Sequence, residues 1–171
     1  MDYEFGDIID ARKHRPIGHF FLVLGETDKH KVMYYRIFSR VYTVFPDILD
    51  FFNDCIAKNY KRFFNFFSKE KNKEKLVSIG NLSDTFFLDK YNNYNLCLEV
   101  DSMIVIKKDP DLEDKEVLDR LYKGKKIIHK NRLSKGDMFK LNIFLKHSIN
   151  VSPYIMNNVG KNFNKWLKGR T

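Results

Sequence analysis

The sequence predicts an α+β domain: a small curved antiparallel sheet, closed or nearly closed, with inserted and C-terminal helices. Three observations predict it. Short runs rich in aromatic and β-branched residues, bounded by turn residues, fill positions 6–45 and 76–108. Apolar residues instead follow helical spacing in 47–75 and again after 112. The chain has 171 residues, of which 43% are hydrophobic and 15% aromatic, enough to bury one core.

The elements follow in order. "GDIID" (6–10) and "IGHFFLVL" (17–24) read as strands, the second a continuous apolar run of the kind a buried strand shows. "GETDKHK" (25–31) supplies Gly, Thr and Asp for a turn. "VMYYRIFSRVYTVF" (32–45) returns as a strand, so 17–24 and 32–45 make a hairpin that Pro46 ends. Asp47 N-caps a helical insertion over 47–75, whose "KEKNKEK" end is a solvated charge run. "LVSIGNLSDTFFLDK" (76–90) and "YNLCLEVDSMIVIKK" (94–108) are strand-like. A short helix is expected around 112–122, stopped by Gly124. "KIIHKN" is a strand, Ser134 N-caps the following helix, and a last short helix with a basic tail bearing Trp166 closes the chain. Residues 1–171 are one domain, with 47–75 inserted and 148–171 a C-terminal extension. Strands with such aromatic content bury most simply in a curved sheet or small barrel, which leaves few long edges.

Charge narrows the partners. Lys plus Arg number 31 against 22 Asp plus Glu, for a net +9. A basic surface concentrates polyanions and suits nucleic acid; a Lys- and Asn-rich composition also arises from AT-rich coding. An acidic DNA mimic is excluded. Cys55 and Cys97 form no C-x-x-C pair and read as buried thiols of a reducing compartment. No signal-peptide core and no run of about 20 apolar residues occurs, so a soluble cytoplasmic protein without membrane contact is expected. Phosphate-loop, dinucleotide, nucleophile-elbow and zinc-protease motifs are missing, and the five histidines lack ligand spacing. Neither a metal nor a cofactor is expected.

The order of parts resembles the MazF/PemK-type toxins of the CcdB superfamily, ribosome-independent endoribonucleases with an SH3-like barrel. The resemblance is carried by "GDIID", the charged loop "ARKHRP", "HFFLVL", the hydroxyl in "YYRIFSRV", the polar "LEVDSMIVI", and a closing strand, Leu-Ser and amphipathic helix in "KIIHKNRLSKGDMFKLNIFLKHS". It covers residues 6–45 and 76–147; the insertion 47–75, the "IG" after Arg-Pro and the tail after 148 depart from it. Larger helical insertions fit the branch held by RNA antitoxins. The resemblance implies metal-independent cleavage of single-stranded RNA, a protein or RNA antitoxin as partner, and a homodimer.

That chemistry needs a base for the ribose 2′-OH, an acid for the 5′-oxygen, and cations for the phosphorane. His14 and Asp101 are the acid–base candidates, Arg15 the phosphate-stabilising cation, and Ser39 a positioning hydroxyl. Arg12, Lys13, Arg36 and Arg40 are candidates for RNA binding. His19 lies in an apolar run and reads as a core histidine; His129 and His147 have no special context. Two alternatives are a non-catalytic barrel of phage or mobile-element origin that binds RNA or protein, and a gyrase-poison-like inhibitor.

Overall fold

The apolar run Phe20–Glu26 is the central strand of a five-stranded antiparallel sheet. The computed structural model describes residues 1–14, 19–37, 85–88, 102–106 and 108–169. Their elements, in order, are β1 (Asp7–Asp10), β2 (Phe20–Glu26), β3 (Lys31–Ile37), β4 (Thr85–Leu88), β5 (Ser102–Val105), β6 (Asp111–Asp114), α1 (Lys115–Lys123), β7 (Ile128–Arg132), α2 (Lys135–His147) and α3 (Pro153–Lys168). The main sheet runs β6-β3-β2-β1-β7, and β4 pairs with β5 in a second, two-stranded sheet. Among the described residues the main sheet stays open, with β6 and β7 at its edges. The fold is therefore α+β with an antiparallel sheet.

The continuous apolar character of β2 has a simple cause: both faces of the sheet are covered. Successive side chains of a strand point to opposite faces. Ile8, Leu22, Met33, Tyr35 and Ile37 face one way, onto Met138, Leu141 and Leu145 of α2 and Ile155, Val159, Phe163 and Trp166 of α3. Phe86 and Leu88 of β4 and Ile104 and Ile106 close this larger core. Ile9, Phe21, Val23, Val32 and Tyr34 face the other way, onto Tyr3, Ile127 and Leu118 of α1. Trp166, read from sequence as part of a basic tail, is 5% exposed and a core residue of α3.

The caps follow the expected chemistry. Gly124 ends α1, its N–H donating to Arg120 O at 2.9 Å. The Ser134 hydroxyl accepts from Asp137 N at 3.2 Å and opens α2. Ser152 does the same for α3, with Pro153 in its first turn. The helix expected from 112 begins at Lys115 instead, because "DLED" (111–114) forms β6. Its backbone satisfies the outer edge of β3, pairing Lys31 with Asp114 and Tyr34 with Asp111.

Two glycines set the contact between sheet and helices. Gly25 has φ +101° beside a bulge between Val23 and Gly25, and a Cβ there would lie 2.3 Å from Asn162 Cγ of α3. The Asn162 amide uses that closeness to donate to Glu26 O (2.8 Å) and Asn158 O (2.9 Å). Gly6, at φ +89°, lets Met138 of α2 approach the start of β1.

Candidate functional site

The sheet edge formed by β1 and β7 gathers most of the chemistry. A regular strand sends residues three apart to opposite faces. In β7 a bulge interrupts the register: Ile8 pairs with Asn131 and Ile9 with His129, leaving Lys130 as the extra residue. Cross-strand partners share a face, so His129 (opposite Ile9) and Arg132 (opposite Asp7) emerge on the same side. Between them stands the carboxylate of Asp7, 1% exposed.

Burying a carboxylate demands donors. Asp7 Oδ1 accepts from Arg132 Nε at 2.7 Å and lies 3.2 Å from His129 Nε2; Asp7 Oδ2 accepts from Glu4 N at 2.8 Å. Arg132 also pairs with Glu4 through Nη2. Partial burial pushes the Arg132 guanidinium down, but the hydrogen bond and charge of Asp7, then Glu4, outweigh it and raise it above its ordinary value. Arg132 is thus a fixed cation. The contact sets the Nε2 side of the His129 ring against the buried carboxylate. The His129 side chain is about one-third exposed. A histidine aligned by a buried carboxylate, with a cation beside it, can exchange a proton and stabilise an anion.

The opposite face of the same edge holds a second carboxylate. Arg12 grips Asp10 with both ends of its fork, Nε to Oδ1 at 3.0 Å and Nη2 to Oδ2 at 2.9 Å, and lies 4.5 Å over the Phe20 ring. Lys130, the bulge residue, reaches within 3.8 Å of Asp10. Burial pushes the Asp10 carboxyl up, yet the Arg12 hydrogen bonds and charge prevail and hold it below the ordinary range.

Of the residues expected from sequence, His14 sits in the turn after β1, its N–H donating to Ala11 O at 3.0 Å, near the edge where Ile128 begins β7. Lys13 is exposed. Arg12 is engaged with Asp10 as described. Arg36, on β3 at the far side of the sheet, has Nε buried 3.4 Å from Asp111 Oδ2. Arg15, Ser39, Arg40 and Asp101 lie outside the described residues, as do Cys55, Cys97 and the insertion 47–75. His19 is corrected: it stands before the first residue of β2 and is exposed rather than buried in the core, with its carbonyl accepting from Ala11 N. His129 is corrected too, from a histidine without context to the partner of Asp7. The available signal was a pair of aspartates, Asp7 and Asp10, inside an Ile-Ile strand that must bury both faces.

Charge is unevenly distributed. Residues 125–169 carry ten Lys or Arg and one carboxylate, Asp137, which is itself buried. Among the described residues no cluster of three or more metal-ligating side chains forms, and no helix is long and apolar enough to cross a membrane. No protein-family model, curated protein or solved structure matches the chain.

Proposed function

We propose that the protein is a metal-independent endoribonuclease acting on single-stranded RNA, with His129 as the acid–base group. The observation that carries this reading is the bulged edge strand that sets His129 against buried Asp7 and beside Arg132. The His129 imidazole would take the proton from a ribose 2′-OH. The 2′-oxygen then attacks phosphorus, the P–O5′ bond breaks, and the leaving oxygen takes a proton from a second acid, His14 or a water molecule, giving a 2′,3′-cyclic phosphate and a 5′-hydroxyl. Arg132 would offset the charge on the phosphorane oxygens. His14, in the turn at the end of β1, is the second acid–base candidate. The small-barrel architecture, the homodimer and a protein or RNA antitoxin belong to the same proposal; they rest on the resemblance of order in the sequence.

The test is incubation of the purified protein with mixed-sequence RNA in a chelator, with end-group analysis of the products. Cleavage to cyclic phosphate ends that disappears in His129→Ala supports the reading. Cleavage that survives His129→Ala overturns the assignment of His129. A wild-type protein that leaves RNA intact overturns the enzyme. The second reading is then a non-catalytic RNA-binding module, favoured by the concentration of positive charge in 125–169, and its signature is RNA retention that weakens steeply with salt.

A further inference from the structure

The two C-terminal helices carry more positive charge than their stability asks for. Helices are stabilised by carboxylates in the first turn and cations in the last. Lys165 and Lys168 in the last turn of α3 fit that rule, as do Asp137 in the first turn and Lys146 in the last turn of α2. Lys135, Lys140 and Lys161 do not. α3 spans 16 residues without a single Asp or Glu, and its first turn has no acidic residue. A Lys-rich coding bias explains lysines but not missing acids: 22 carboxylates over 171 residues would place about six in 125–169, where one stands.

The cations are also ordered in space. The buried face of α3 is Ile155, Asn158, Val159, Phe163 and Trp166. At 3.6 residues per turn, Tyr154, Lys161, Lys165 and Lys168 fall on one stripe on the solvent side, and all four are exposed. Lys29, from the β2–β3 turn, stands 5.9 Å from the Tyr154 ring centroid and extends the stripe beyond the N-terminal end of the helix. One carboxylate sits there, Asp28, which accepts from Tyr154 OH at 2.6 Å. The Asp7–His129 pair lies on the other face of the sheet, the α1 side.

We propose that the exposed stripe of α3, centred on Lys161 and Lys165, is a docking track for the phosphate backbone of single-stranded RNA. Charge complementarity selects a polyanion, and a line of lysines one helical turn apart reads phosphates without reading sequence. RNA as the polyanion rests on the proposed function above; the track itself rests on the charge and geometry of α3. Docking here would hold a long strand on the protein while a distant part of the same strand reaches the β1–β7 edge.

The test is binding of a fluorescent single-stranded RNA, read by anisotropy across a salt series in a chelator. Three proteins are compared: wild type, Lys161→Gln/Lys165→Gln, and the charge-matched Lys123→Gln/Lys126→Gln on the α1 side. Glutamine keeps helix propensity, and circular dichroism confirms that each variant folds. Removing two phosphate contacts makes the slope of log K against log salt shallower by about 1.4, at roughly 0.7 per contact. The control pair changes it by less than half as much. Equal effects of the two pairs, or no effect of the α3 pair, overturn the proposal. Loss of binding to phosphatidylserine vesicles with RNA binding intact overturns it as well. A slope change on α3 in a protein that never cleaves RNA leaves the track standing and removes only the enzyme.

Discussion

Replacing Asp7 with Asn isolates the role of the buried carboxylate, because volume hardly changes. Asp7 accepts from two donors, Glu4 N (2.8 Å) and Arg132 Nε (2.7 Å), and lies 3.2 Å from His129 Nε2. An amide has one acceptor oxygen, so its NH2 must face a donor. Hydrogen bonds to charged groups contribute about 1.5–3 kcal/mol each, and breaking a buried ion pair costs about 3–5 kcal/mol. Arg132 is 28% exposed and keeps Glu4, so water and Glu4 recover part of its loss. The expected destabilisation is about 2–4 kcal/mol, which lowers Tm by roughly 4–16 °C at about 2–4 °C per kcal/mol for a chain of this size. His129→Gln breaks only the longest contact, of a side chain that water already reaches, and should cost less than about 1.5 kcal/mol. Urea unfolding of wild type, both single variants and the double variant closes a cycle that gives the Asp7–His129 coupling directly. An Asp7→Asn protein within about 0.5 kcal/mol of wild type would refute the reasoning, since a carboxylate so enclosed cannot be neutral to lose.

Three further outcomes are expected. Gly25→Ala combines a positive φ with a Cβ 2.3 Å from Asn162 Cγ, and should cost about 2–4 kcal/mol in urea unfolding; Asn162→Ala in the same background should recover part of that loss. Asn142 is buried and its Oδ1 has no hydrogen-bond partner, so Asn142→Leu should raise stability by about 1 kcal/mol in a thermal melt. The Asp10 carboxyl is held below its ordinary value of 3.8 in the folded chain, so the unfolded chain binds its proton first as acid is added. Its contribution is complete above the unfolded value and is lost as pH falls through the folded one. Stability measured below about pH 4 should therefore fall less steeply in Asp10→Asn than in wild type.

What sequence could show, and what it could not, divides by the range of the forces involved. The β2–β3 hairpin, the stop at Gly124 and the cap at Ser134 depend on residues within a few positions of one another, and the sequence displays them. β6 depends on the open edge of β3. Its four residues include one apolar side chain, Leu112, which is 44% exposed, so no periodicity marks it. The burial of Trp166 likewise depends on Phe139 and Phe163 meeting it from two helices. His129 and Arg132 are three residues apart, and any reading by strand period separates them. The bulge at Lys130 that unites them is a property of the β1–β7 register.

That bulge has two physical explanations, and they make different demands on the residues around it. An edge strand with unpaired backbone groups invites pairing with another chain, and a lysine-bearing bulge blunts it. Edge protection alone would need Lys130 and the interrupted ladder. It would not need a carboxylate 1% exposed on the neighbouring strand, or an arginine and a histidine both converging on its Oδ1. A buried Asp7–Arg132 pair alone would already satisfy the charge, since Glu4 N takes the second oxygen. His129 is then surplus to structure: it adds a long contact and stays one-third exposed. Surplus alignment of a titratable ring is what a proton-transfer site requires and what a protected edge does not. His129, rather than the loop histidine His14, is therefore where a change of one side chain should separate folding from the proposed RNA cleavage.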